Sequence, residues 1–319
     1  MTSADNPASK PAAWTRNAER SNMLMLRIMT WISLRVGRRA GRIVLHLIAS
    51  YFLLFAPASR RASSQYLRRA LGRPARVRDL YQHFFTFAST IHDRIYLINR
   101  RFDLFNVEVH GEAALHQQLA TGEGLFLVGA HLGSFEVIRA IGRECKDLRV
   151  AMVMHLENAK KINAMLTAIN PDAGQDIIGL GQVDSMLQVS QYLDNGYAVG
   201  MLADRTPGDD TLYPVRILDT EAYLPIGPLR IAALLRRPVM FMTGLYLGGN
   251  RYAIHFDTLA DFSNIAPGQR DIAVKAALTR YAALLDQYCR TAPYNWFNFF
   301  DFWQHPQTIS PITSSEKLS

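Results

Sequence analysis

Cysteine is nearly absent from the chain. Two thiols, Cys145 and Cys289, among 319 residues cannot build a disulfide framework, and neither has the CxxC or Cys/His spacing that would hold a metal. A reducing compartment is the expectation. Long apolar runs are also missing. The stretch from Ile43 to Ala56 has about 14 residues, short of the roughly 17–25 that a crossing helix needs, which excludes a polytopic membrane protein. The first 22 residues are polar and carry Pro7, Pro11, Asp5 and Glu19. They lack a basic start running directly into an apolar segment, so no cleaved signal peptide is expected. With 49% hydrophobic and only 19% charged residues, the composition excludes disorder and collagen and suffices for a full core.

Acid is scarce at one end. Residues 1–80 hold fifteen Lys+Arg against Asp5, Glu19 and Asp79, a local excess of +12, whereas the whole chain carries +8. Arginines flank the apolar run on both sides. That pattern reads as a helix lying in or shallowly inserted into a membrane interface, its arginines facing anionic headgroups at about 1 kcal/mol each. The alternative is a buried amphipathic helical pair with a solvated arginine face. A nucleic-acid partner is the weakest reading of these arginines and is not expected, because no binding motif is present and Tyr51, Phe52 and Phe55 sit inside the apolar run, where bases could not stack on them.

Beyond residue 76 the pattern changes. Leu80, Phe84, Phe87, Ile91, Ile95 and Ile98 recur every three to four residues and predict a helix to about Asn99. Apolar runs near 124–130, 149–154, 197–202, 238–246 and 251–257 read as strands. Helical spacing occupies 134–145, 158–169, 183–194, 228–236 and 270–290. Alternating units of this kind predict an α/β fold with a mixed, largely parallel sheet covered by helices on both faces. Gly248-Gly249-Asn250 predicts a hairpin between the last two strands. The expected organisation is a polar tail at 1–22, a basic and apolar membrane-associating helical segment at 23–75, an α/β domain at 76–305, and a second polar tail at 306–319.

Ligands of such sheets bind beyond the carboxyl ends of the strands. The first strand runs into Gly129-Ala130-His131-Leu132-Gly133-Ser134-Phe135-Glu136, which places an imidazole on a strand-to-helix turn and a carboxylate in the next helix. A carboxylate on one ring nitrogen leaves the other to take a proton. The N–H groups at the helix start, at Gly133 and Ser134, can face an anion. A local cap at His131, with Glu136 serving only the helix dipole, is the simpler alternative. The spacing fits no metal site, and Ser134 makes no nucleophile elbow.

These residues resemble a known family. His131-Leu-Gly-Ser-Phe-Glu136 is similar to the H-x-x-x-x-[DE] motif of the glycerolipid and lipid A acyltransferases, in particular the bacterial lipid A biosynthesis (late) acyltransferase branch. Arg60-Arg-Ala-Ser-Ser-Gln-Tyr-Leu-Arg68, Leu193-Asp-Asn-Gly196 leading to Asp204, Gly227-Pro-Leu-Arg-Ile-Ala232, Arg237-Pro-Val239 and the aromatic ending Pro293 to Trp303 extend the likeness over most of the chain. The resemblance implies acyl transfer from a thioester of acyl carrier protein or coenzyme A to a hydroxyl or amine of a membrane lipid, on the cytoplasmic face of the inner membrane. No cofactor beyond that co-substrate is implied. By analogy His131 is the general base and Glu136 orients it. Gly133, Ser134 and Arg205 are the candidate oxyanion donors. Asp204 and Arg205 also read as a plain ion pair at a strand end, and Arg230 as a phosphate contact or a solvated residue. Ile169-Asn-Pro-Asp-Ala-Gly174 and Phe300-Asp301-Phe302 depart from the branch's pattern, which opens the acceptor to a less anionic lipid than lipid A, such as another glycolipid, an aminolipid or a polyene-type lipid headgroup. A thioesterase or lipid hydrolase using the same pair, and a non-catalytic lipid-binding protein, are the rival readings.

Overall fold

The computed structural model describes residues 30–31, 33–144, 148–170, 176–181, 184–205 and 210–304. The two expected polar tails lie outside the described residues. In chain order the elements are α1 (Arg38–Phe55), α2 (Pro57–Ala70), α3 (Val77–Ile98), β1 (Asn106–His110), α4 (Glu112–Leu119), β2 (Leu125–Gly129), α5 (Phe135–Glu144), β3 (Val150–His155), α6 (Leu156–Ile169), β4 (Ile177–Leu180), α7 (Ser185–Asp194), β5 (Ala198–Leu202), β6 (Leu212–Ile217), β7 (Thr220–Pro225), α8 (Gly227–Leu234), β8 (Pro238–Gly248), β9 (Arg251–Asp261) and α9 (Arg270–Thr291).

Seven strands form one sheet in the order β1-β9-β8-β2-β5-β3-β4. Every neighbouring pair is parallel except the β8–β9 hairpin, so the expected mixed, largely parallel sheet is present. β6 and β7 form a separate antiparallel ribbon. Burial follows the strand period of two. Along β2, Phe126 and Val128 enter one core together with Leu278, Tyr281 and Leu285 of α9. Leu125 and Leu127 enter another with Val137 and Ile138 of α5. Helices therefore cover both faces, and β2, buried throughout, is the spine between two cores.

The N-terminal helices are tied to this body by side chains that the sequence pattern assigned to the membrane. α1 lays Gly41, Leu45 and Ala49 against α3, where Phe84, Phe85 and Ala88 complete a small core. Gly41 permits the approach, because a Cβ there would stand 2.2 Å from Nε2 of His92. Arg38 donates to both oxygens of Asp93, at 2.7 and 2.8 Å. Arg42 reaches the hydroxyl of Tyr246 at 3.0 Å. These two arginines serve packing. Among the described residues no single helix is long and apolar enough to cross a membrane; α1 and α2 meet that test only as a pair, bent by 95°. The opposite face of α1 leaves Ile43, Leu47, Tyr51, Leu54 and Phe55 exposed.

Candidate functional site

The sheet's register creates the site. β2 and β5 are parallel neighbours with Gly129 opposite Leu202, and the N–H of Ala203 continues the ladder to the carbonyl of Gly129 at 2.9 Å. His131 and Asp204 each follow two residues later, so their side chains meet beyond the carboxyl ends of adjacent strands. Nδ1 of His131 lies 2.8 Å from Oδ1 of Asp204. An ionised carboxylate only accepts, so Nδ1 carries the proton and Nε2 keeps its lone pair. The imidazole is 37% exposed whereas the carboxylate is buried, which turns Nε2 toward the open side.

Asp204 is held from several directions. Nε1–H of Trp296 donates to Oδ2 at 3.0 Å, and Nη2 of Arg205 lies 3.4 Å from the same oxygen. Burial pushes the Asp204 carboxyl up, yet His131, Arg205 and the two hydrogen bonds together outweigh it and hold the pKa below the usual carboxylate range. Desolvation, with the Arg205 charge beside it, lowers the His131 pKa against the pull of Asp204. A neutral imidazole with an anionic partner is thus the resting state near neutral pH. Arg205 also donates to the carbonyl of Phe297 at 3.3 Å and lies over the ring of Phe300.

Glu136 stands elsewhere. Its carboxylate accepts from Nη1 of Arg139 at 3.2 Å and faces Nε of Arg94 at 3.9 Å; none of its hydrogen bonds goes to His131. The expected contact between Glu136 and the imidazole is not what the geometry gives: the carboxylate on Nδ1 of His131 is that of Asp204. The reason is geometric, since Glu136 lies on the first turn of α5, packed toward α3, while the strand register brings Asp204 alongside.

The backbone donors differ from expectation as well. The N–H of Gly133 donates to the carbonyl of Asn295 at 2.9 Å and that of Ser134 to the carbonyl of Gly244 at 2.7 Å. Both are spent on holding the turn and are not open to an oxyanion. Gly133 has φ +75°, and a Cβ there would meet the carbonyl oxygen of Gly244 at 2.1 Å, so only glycine fits. Arg230 is exposed on α8 and no hydrogen bond of the His131 group reaches it. Among the described residues no cluster of three or more His, Cys, Asp or Glu side chains is arranged to hold a metal ion.

The irregular segment after α9 supplies what sequence reasoning missed. Trp296 bridges Leu132, and the N–H of Phe297 donates to the carbonyl of His131 at 2.8 Å. Both ends of the Asn295 amide engage the backbone of Tyr246. The aromatic density of residues 293–303 was visible in the sequence, but nothing in it marked Trp296 as the partner of a carboxylate.

Fold and site together describe an α/β protein with an imidazole–carboxylate pair opening beyond the ends of two central parallel strands. No curated protein matches the chain in sequence. The chain belongs to the bacterial lipid A biosynthesis acyltransferase family, whose sequence profile matches residues 13–305. It is accordingly an acyltransferase with a lipid-like acceptor.

Proposed function

We propose that the protein moves a fatty acyl group from a thioester, of acyl carrier protein or coenzyme A, to a hydroxyl or amine of a membrane glycolipid or aminolipid, with His131 as general base. The single observation that carries this reading is the His131–Asp204 pair. Nε2 of His131 takes the acceptor proton as the acceptor oxygen or nitrogen attacks the thioester carbonyl. Asp204 stabilises the imidazolium that forms, and the imidazolium returns the proton to the departing thiolate. The positive charge of Arg205 supports the tetrahedral oxyanion, since the N–H groups of Gly133 and Ser134 are engaged. Glu136, between Arg94 and Arg139, anchors the first turn of α5 behind the site.

The exposed apolar face of α1 supports attachment to the cytoplasmic face of the inner membrane. Ile43, Leu47, Tyr51 and Leu54 recur at helical spacing on that face, and Arg35, Arg39 and Arg61 are exposed at its two ends. A helix of this kind lies in the interface instead of crossing it.

The test is transfer of a labelled acyl group from both thioester donors into total membrane lipid extract. A labelled lipid is expected, and its mass identifies the acceptor. His131→Ala should lower its formation by at least about a hundredfold, the loss of a general base. Labelled free fatty acid without labelled lipid would replace acyl transfer with hydrolysis. Near-normal transfer by folded His131→Ala would remove His131 from the mechanism.

A further inference from the structure

A buried tryptophan beside the reacting pair invites the question of what its N–H does. Trp296 is fully buried, and a buried indole N–H needs an acceptor. The one it has is Oδ2 of Asp204, at 3.0 Å, leaving Oδ1 to His131 at 2.8 Å. The two oxygens of one carboxylate are thereby divided, one to the indole and one to the imidazole.

Trp296 is itself fixed from behind. Its carbonyl lies 2.9 Å from Nε2 of His83, and Nδ1 of His83 lies 2.8 Å from Oγ of Ser63. A carbonyl only accepts, so Nε2 of His83 carries the proton and Nδ1 accepts from the serine hydroxyl. Tyr66 packs edge-on against the indole at 5.2 Å and Phe302 at 4.7 Å. α2, α3 and the C-terminal segment therefore converge to set the indole's position, and the indole has little freedom to leave the carboxylate.

We propose that Trp296 is a positioning residue that holds the Asp204 carboxylate toward His131 and shares its negative charge, so that the C-terminal segment sets the basicity of the imidazole. The inference rests on the reading of His131 and Asp204 as a working pair. A donor on Oδ2 draws charge from Oδ1; removing it leaves more charge facing Nδ1 of His131 and stabilises the imidazolium. Loss of the indole N–H should consequently raise the pKa of His131, whereas loss of the carboxylate charge should lower it. The other charged or titratable groups around the carboxylate are Arg205, and Tyr281 and Cys289 of α9, both kept neutral by burial, which raises their pKa values.

The experiment is an NMR titration of carbon-labelled histidine in the full chain, with the His131 signal assigned by its loss in His131→Ala. Wild type is compared with Asp204→Asn, Glu136→Gln, Trp296→Phe and a protein carrying benzothienylalanine at position 296. That isostere keeps the shape of the indole and replaces its N–H with sulfur, so the fold is retained even if Trp296→Phe proves unstable. The expected result is an upward shift of the His131 titration by about half a unit in the isostere, a downward shift in Asp204→Asn, and none in Glu136→Gln. An unmoved titration in the isostere, with Asp204→Asn shifted, overturns the role of Trp296 alone. An unmoved titration in Asp204→Asn overturns the pair on which the inference stands.

Discussion

Two buried carboxylates, Asp93 and Asp204, are built from similar parts, yet their pKa values are shifted in opposite directions. Each has an arginine and an aromatic donor: Arg38 and the Tyr252 hydroxyl, at 2.9 Å, for Asp93, and Arg205 and the Trp296 indole for Asp204. At Asp93 burial prevails over these partners and the pKa is raised. At Asp204 the partners prevail over burial and it is lowered. The deciding addition is His131, which supplies a further hydrogen bond and opens to the outside. Asp93 has a histidine neighbour too, but His92 is buried and its Nδ1 stands 3.8 Å away. A carboxylate, an arginine and an aromatic donor thus make a tie between α1, α3 and β9 in one place and one half of the pair proposed to transfer protons in the other. What separates the two places is a partly exposed imidazole whose Nε2 keeps its lone pair.

The two regions share a dependence on buried histidines, and acid should expose it in both. Burial lowers His83, behind the Asp204 group, to about 4, and lowers His92, beside Asp93, to about 4. Each binds a proton more readily unfolded, at about 6.5, than folded. Each therefore contributes stability that is complete above about pH 6.5 and is lost as the pH falls toward 4. The loss is about 3 kcal/mol per histidine at the low end of that window. Denaturant unfolding at a series of pH values should show it, with His83→Asn and His92→Asn each removing part of the slope. A flat stability profile between pH 6.5 and 4 would mean that these histidines are not neutral in the fold.

A smaller effect sharpens the contrast on the N-terminal side. The Asp93 tie holds the inner face of α1 and leaves the outer face, proposed to meet lipid, exposed. Leu47→Glu combined with Leu54→Glu should reduce binding to anionic phospholipid vesicles several-fold while leaving thermal stability nearly unchanged, since both side chains are exposed. Unchanged vesicle binding would take the membrane role away from this face.

How much of this the sequence disclosed follows from what a linear pattern can carry. Periodicity located β2, β3, β5, α5, α9 and the hairpin at Gly248-Gly249-Asn250, because each is an apolar run or stripe bounded by turn residues. It missed β1 and β4, which are short and only partly buried, and the β6–β7 ribbon, whose alternation is interrupted by Pro214 and Pro225. The turn at His131 was legible, and so was the polar residue Asp204 after β5. Their meeting was not. Chain order places β3 and β4 between β2 and β5, whereas the sheet places β5 directly against β2. Proximity along the chain pointed to Glu136, five residues from His131; lateral strand order chose Asp204, seventy-three residues away. The arginines of α1 teach the same point, since Arg38 and Arg42 belong to the same basic stretch as the exposed arginines and only the fold sets Asp93 and Tyr246 beside them.

The most direct test of this account sets Asp204→Asn beside Asp93→Asn in the same acyl-transfer assay, with rates expressed per folded molecule and stability measured in parallel. Asp204→Asn should lose at least about a hundredfold in transfer, as a general base deprived of its partner does. Asp93→Asn should keep transfer within a few-fold while losing about 3 kcal/mol of stability, because Arg38 is left without its counter-charge. Equal transfer rates in the two variants, or the larger catalytic loss at Asp93, would contradict the assignment of His131 and Asp204 as the reacting pair.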